Sequence, residues 1–212
     1  MSSSDSKSEK KSNNKQVVGK IPVASAFPIG SIKIPIYSLI GASVLGFAAR
    51  YVNAEGFLQK HITDADLKAL FVLSGFLVFF VNSLMTGLTI NARITLRIPP
   101  PLIYPTDDDV RGDKERRQRF LCAVRAHENY QEWLLPVLVL VFVNAFFGGA
   151  PRLAAVSFVF WNVARILYGY GYATGNPGNR SLGFILSTFS ILPLYGNLFF
   201  YCIEYATHRF AN

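Results

Sequence analysis

Four long apolar runs constrain this chain more than any other feature. They cover residues 67–90, 120–147, 150–172 and 182–205. Each is long enough to cross the hydrocarbon core of a bilayer, which takes about 20 helical residues for ~30 Å. Inside lipid a segment must satisfy its own backbone hydrogen bonds, so such runs become helices. Composition agrees: 51% of residues are hydrophobic and only 16% are charged, against roughly 25% charged in soluble domains. Gly148, Gly149 and Pro151 leave a very short connection between the second and third runs. Short connections make antiparallel neighbours. The expected fold is therefore all-α and membrane-integral, with a four-helix transmembrane bundle over residues 66–207. A weaker run, IPIYSLIGASVLGFAARYV, adds an N-terminal transmembrane or interfacial helix over residues 33–53. Residues 1–32 are rich in Ser, Lys and Asn and read as a disordered basic tail.

The net charge of +8 is concentrated in two places. One is the tail, with Lys7, Lys10, Lys11, Lys15 and Lys20. The other is the stretch after the first strong run, from Arg93 to Arg119. Five spans put both on one side, as the excess of Lys and Arg on cytosolic loops requires. That pattern signals topology and argues against nucleic acid. Arg180 falls on the same side, so the sequon Asn179-Arg180-Ser181 is expected to stay unglycosylated. Cys122 and Cys202 lie in separate runs, with no metal-ligand spacing; both read as small buried hydrophobes. No metal site is expected.

The polar stretch RAHENYQEW, residues 125–133, heads a run that then turns almost wholly apolar. Arg125, Asn129 and Glu132 are spaced i, i+4, i+7 and share one helical face. His127 is displaced from it. A second set, Arg165, Tyr168 and Tyr172, is spaced i, i+3, i+7 near the end of the third run. Arg93 and Arg180 lie at the same level. Glu132 sits about two turns inside the apolar run, where an unpaired carboxylate costs several kcal/mol. One glutamate cannot neutralise four arginines, so the cluster asks for an anionic ligand. Guanidiniums for carboxylates, a glutamate for an ammonium, and amide and phenol groups for peptide bonds suit a small zwitterionic peptide. Glutathione has that inventory. Pro136 is expected to kink the second run, and Asp107–Asp109 reads as a solvated loop.

RAHENYQE resembles the R-A-x-x-N-x-x-E signature of the membrane-associated proteins in eicosanoid and glutathione metabolism. RILYGYGYATGNPGNRS, residues 165–181, and INARITLRI with PLIYPTD resemble the microsomal glutathione transferase type three branch of that family. The resemblance covers residues 67–205. It implies a homotrimer of four-helix subunits in the endoplasmic reticulum membrane, with the mitochondrial outer membrane as the alternative. It implies glutathione as co-substrate, held between neighbours by Arg93, Arg125, His127, Asn129, Glu132, Arg165, Tyr168 and Tyr172. Glu132 would take the γ-glutamyl amine, and Arg180 would hold the thiolate as the catalytic residue. The implied activity is transfer of glutathione to lipophilic electrophiles and reduction of lipid hydroperoxides. Ile94 and Trp133 depart from the relatives that make cysteinyl leukotrienes, which points away from that synthesis. The second reading is a lipid-presenting scaffold of the lipoxygenase-activating type, without glutathione chemistry.

Overall fold

The computed structural model describes residues 52–210 and, ahead of them, Gly41, Val44, Gly46 and residues 48–50. The expected tail over 1–32 lies outside the described residues. Of the expected extra helix over 33–53, the described positions between 41 and 50 are helical. Five helices follow: α1 Ala54–His61, α2 Asp64–Thr95, α3 Lys114–Phe146, α4 Pro151–Ala173 and α5 Ser181–Phe210, with a 3₁₀ turn at Pro177–Arg180 before α5. Four of these, α2 to α5, are long and apolar enough to cross a membrane. Among the described residues there is no strand.

Caps set the helix ends. Thr63 and Asp66 form a reciprocal capping box at the head of α2, with the Thr63 hydroxyl oxygen accepting the Asp66 N–H at 3.2 Å. The Asp113 carboxylate accepts the Arg116 N–H at 2.9 Å and starts α3. Helix α4 opens on Pro151 and has no side-chain cap of its own. Glu55 of α1 supplies one from outside, accepting the N–H groups of Arg152 at 3.2 Å and Leu153 at 2.9 Å. The Arg152 guanidinium then pairs with Asp64 at 2.6 Å. Thus α1 closes the end of the bundle where α2 and α4 begin. Helix α3 continues through Pro136 and α5 through Pro193.

Helix α4 is the centre. It packs on α2, α3 and α5, and 56% of its span is buried against 17% for α2. Val81, Met85, Tyr130, Trp161 and Leu194 form the core around it. Outward faces carry Phe76, Phe79, Phe146 and Phe189, all exposed, as lipid contact requires. Cys202 also lies exposed on α5, which corrects its reading as a buried hydrophobe. Two glycines permit close approach where α4 meets the 3₁₀ turn and α5. A Cβ on Gly171 would fall 2.4 Å from the Asn179 carbonyl oxygen, and one on Gly183 2.3 Å from the Tyr168 nitrogen. Any larger residue there would push Arg180 away from α4.

The connection between α2 and α3 is tied down. Arg116 donates to the carbonyls of Leu96 and Arg97, and Arg117 to the Pro105 carbonyl and Asp107. Asp109 accepts from the backbone and hydroxyl of Thr106. The acidic run is exposed, as a solvated loop should be, and two of its carboxylates, Asp107 and Asp109, also hold the connection in place. Those bonds from Thr106 hold the Asp109 carboxyl below its ordinary value.

Candidate functional site

A cavity of about 640 Å³ opens where α3 begins and α4 ends. Its polar wall comes from Arg125 and Asn129 on α3, Tyr168 and Tyr172 on α4, and Arg180 on the 3₁₀ turn. Phe184 and Ile185, on the first turns of α5, form an apolar lip. The close approach at Gly171 and Gly183 is what brings these three elements together.

Arg165 stands behind this wall. It is only 2% exposed, and its guanidinium donates to Asn129 Oδ1 at 3.0 Å. The guanidinium carbon lies 5.1 Å from the Trp161 ring centroid and 4.9 Å from that of Tyr168. Its Nε–H is buried without a hydrogen-bond partner among the described residues. Its hydrogen-bond acceptor is therefore a neutral amide, and its ring contacts are neutral too. A buried cation without a counterion is costly, and cation–π contacts recover only about 1–2 kcal/mol of that. Arg180 is similar in its partners. It donates to the Tyr172 hydroxyl, and its guanidinium sits 5.1 Å from that ring's centroid.

Arg125 differs. It pairs with Glu128 at 2.9 Å and stands 4.0 Å from Glu132. Glu128 also accepts from the Tyr104 hydroxyl on the α2–α3 connection, which raises the Tyr104 phenol above its ordinary value. The sequence reading counted only Glu132 against the arginines. The nearer carboxylate is Glu128, whose signal was its i+3 spacing from Arg125. Of the four arginines, Arg125 alone has a carboxylate partner among the described residues, and of the other three Arg165 and Arg180 stand at the cavity. Glu132 itself is exposed beside Arg125 and does not line the cavity.

Two expected ligands point elsewhere within the chain. Arg93 donates to the Pro99 carbonyl at 3.2 Å and lies over Phe120, folding the chain back after α2. His127 Nε2 is 3.4 Å from Thr86 Oγ1 and 3.3 Å from Gln131 Nε2, on the α2 side of α3. The structure therefore brings Arg125, Asn129, Arg165, Tyr168, Tyr172 and Arg180 together, and leaves Arg93, His127 and Glu132 outside the cavity. It adds Cys122 and Gln118 to the wall. The Cys122 thiol donates to the Gly175 carbonyl at 3.5 Å.

Residues 71–200, well over half of the chain, match the family model of the MAPEG family. The matched stretch runs from α2 into α5 and contains every cavity residue. The chain belongs to the MAPEG family, which includes glutathione transferases and related enzymes, and it is a multi-pass membrane protein.

Proposed function

We propose that this protein is a microsomal glutathione transferase and peroxidase of the type three branch, placed in the endoplasmic reticulum membrane. The observation that carries the reading is the pair Arg165 and Arg180, one behind and one on the wall of a single cavity, each bonded to neutral groups. Glutathione supplies the missing negative charge through its carboxylates. Arg125, Asn129 and Arg165 take the peptide's carboxylates and backbone, while Tyr168 and Tyr172 pack and hydrogen-bond against it.

Arg180 acts on the sulfur. A free thiol has a pKa of ~8.5, so little is ionised at neutral pH. The thiolate is the nucleophile. A guanidinium beside it favours the anion, because opposite charge within a few ångströms stabilises the ionised form. A guanidinium has no acceptor site for a proton, so its role is electrostatic. The thiolate then displaces a leaving group from a lipophilic electrophile. With a lipid hydroperoxide, it attacks the terminal oxygen and breaks the O–O bond, giving a sulfenic acid and an alkoxide that takes a proton from water to become the lipid alcohol. A second glutathione converts the sulfenic acid to the disulfide and water. The apolar lip of Phe184 and Ile185 suits substrates arriving from the bilayer.

Arg93 and His127 face away from their own cavity. In a homotrimer they reach bound glutathione as residues of the adjacent subunit, and Glu132, exposed beside Arg125, takes the γ-glutamyl amine at the seam. The alternative, a lipid-presenting scaffold, draws support from a second, almost wholly apolar groove of about 570 Å³ lined by Phe71, Gly75, Val78 and Phe142. Calorimetric titration of the pure protein with glutathione, followed by turnover of aryl halides and fatty-acid hydroperoxides, separates the two. Binding with turnover is the expected result. Absence of glutathione heat removes the enzyme reading, and fatty-acid binding without turnover favours the scaffold.

A further inference from the structure

The family match begins at residue 71, yet described residues well ahead of it touch the bundle. A Cβ on Gly46 would fall 2.1 Å from the Gly196 Cα and 3.0 Å from the Asn197 nitrogen. Only glycine against glycine lets two helix backbones come that close, the arrangement that small residues permit between helices in lipid. One turn further on, the Arg50 guanidinium pairs with both carboxylate oxygens of Glu204. As the chain advances from 46 to 50, its contact on α5 advances from 196 to 204. That order holds for parallel helices and reverses for antiparallel ones.

The place of contact is already braced. The Asn197 side chain donates to Asn144 Oδ1 at 2.9 Å and to the Gly148 carbonyl at 3.1 Å, tying α5 to the end of α3. Immediately after Arg50 the chain turns. Asn53 adopts a left-handed conformation, φ 51°, and its side chain accepts the Gly56 N–H to start α1. Glu55 then caps α4. The contacts therefore all sit at the end of the bundle opposite Arg180, where α3 and α5 end and α4 begins.

We infer that Gly196, Asn197 and Glu204 form a docking surface on α5 for the chain's own helical stretch through Gly46 and Arg50, which lies parallel to α5 as an integral, additional helix of the bundle. The glycine pair sets the depth of contact, and the ion pair sets direction and register. Glu204 is the one carboxylate on α5, so Arg50 is the cation that fixes where along α5 the stretch seats.

The test is a charge exchange in the full-length protein, read as the midpoint of thermal unfolding in detergent. Arg50→Glu and Glu204→Arg singly should each lower the midpoint by several degrees, and the double variant should recover most of the loss. Single reversals without effect, or a double variant no better than the worse single, overturn the docking. Gly46→Leu and Gly196→Leu provide a second arm beside Val44→Leu, since Val44 is 61% exposed. Leucine should lower the midpoint at 46 and 196 and leave it unchanged at 44. Equal tolerance at 44 and 46 overturns the glycine crossing. The readout is stability, so it stands apart from any glutathione chemistry.

Discussion

Replacing Asn129 by Asp tests whether Arg165 waits for an anion. Asn129 Oδ1 accepts from Arg165 at 3.0 Å, so an aspartate there places a carboxylate where a neutral oxygen now stands. Unit charges about 4 Å apart attract by about 4 kcal/mol at an effective dielectric near 20. Desolvating the new carboxylate offsets much of that, leaving a net gain of ~1–2 kcal/mol. The same negative charge faces the cavity and repels the ligand's carboxylates. A tenfold loss of affinity corresponds to about 1.4 kcal/mol, and one misplaced charge in the wall should cost at least that. The Asn129→Ala variant removes the acceptor without adding charge, and costs about 1.5–3 kcal/mol for a lost hydrogen bond to a charged group. The expected pattern is a crossed one. Thermal unfolding rises for Asp and falls for Ala, while glutathione affinity by calorimetry falls for both. An aspartate variant that is destabilised, with affinity within about twofold of the parent, would refute the argument that Arg165 lacks a counterion.

Arg180→Leu should move the pH–rate curve of glutathione transfer to the alkaline side, toward the ~8.5 of a free thiol, and an unmoved curve would remove Arg180 from the chemistry. Glu55→Ala strips the cap from α4 and one of the two carboxylates near Arg152. Loss of a cap costs about 1–2 kcal/mol, to be read from the unfolding midpoint, and no change would show that α1 does not hold the bundle. The Asp109 carboxyl is depressed below 3.8 by Thr106, so its contribution is present above that value and fades as pH falls through the lowered one. The protection of the Thr106 amide, relative to its intrinsic exchange rate at each pH, should therefore fall only in that acid window, and a loss of protection near neutral pH would contradict the assigned bond.

The four spans could be read from the sequence because lipid demands long apolar runs, but their ends could not. Helix α3 starts at Lys114, six residues ahead of its apolar run at 120, and α2 runs on to Thr95 past residue 90. Hydropathy sees the turns inside lipid, while Asp113 and Thr63 set the actual starts by capping. At the site, periodicity placed Arg125 with Asn129 and Arg165 with both tyrosines. It also put Glu132 on that stripe, but a stripe does not tell where the neighbouring helix stops covering it. The same stripe carried backwards from Arg125 by three and seven residues reaches Cys122 and Gln118, which do line the cavity. Arg93 escaped this logic because its carbonyl partners, Ile98 and Pro99, follow the helix, and no helical repeat encodes them.

The two ends of the bundle treat cations differently. At the closed end Arg152 meets Asp64 and Glu55, and Arg50 meets Glu204. The buried amide of Asn144 is satisfied there by another amide, Asn197 donating to it. The chain can therefore supply carboxylates where a charge serves only to hold helices together. At the open end a more deeply buried arginine, Arg165, is given an amide and two aromatic faces. The carboxylates Glu128 and Glu132 lie against Arg125 instead. Under the glutathione reading proposed above, a carboxylate of the ligand takes the place that the neutral Asn129 amide leaves beside Arg165.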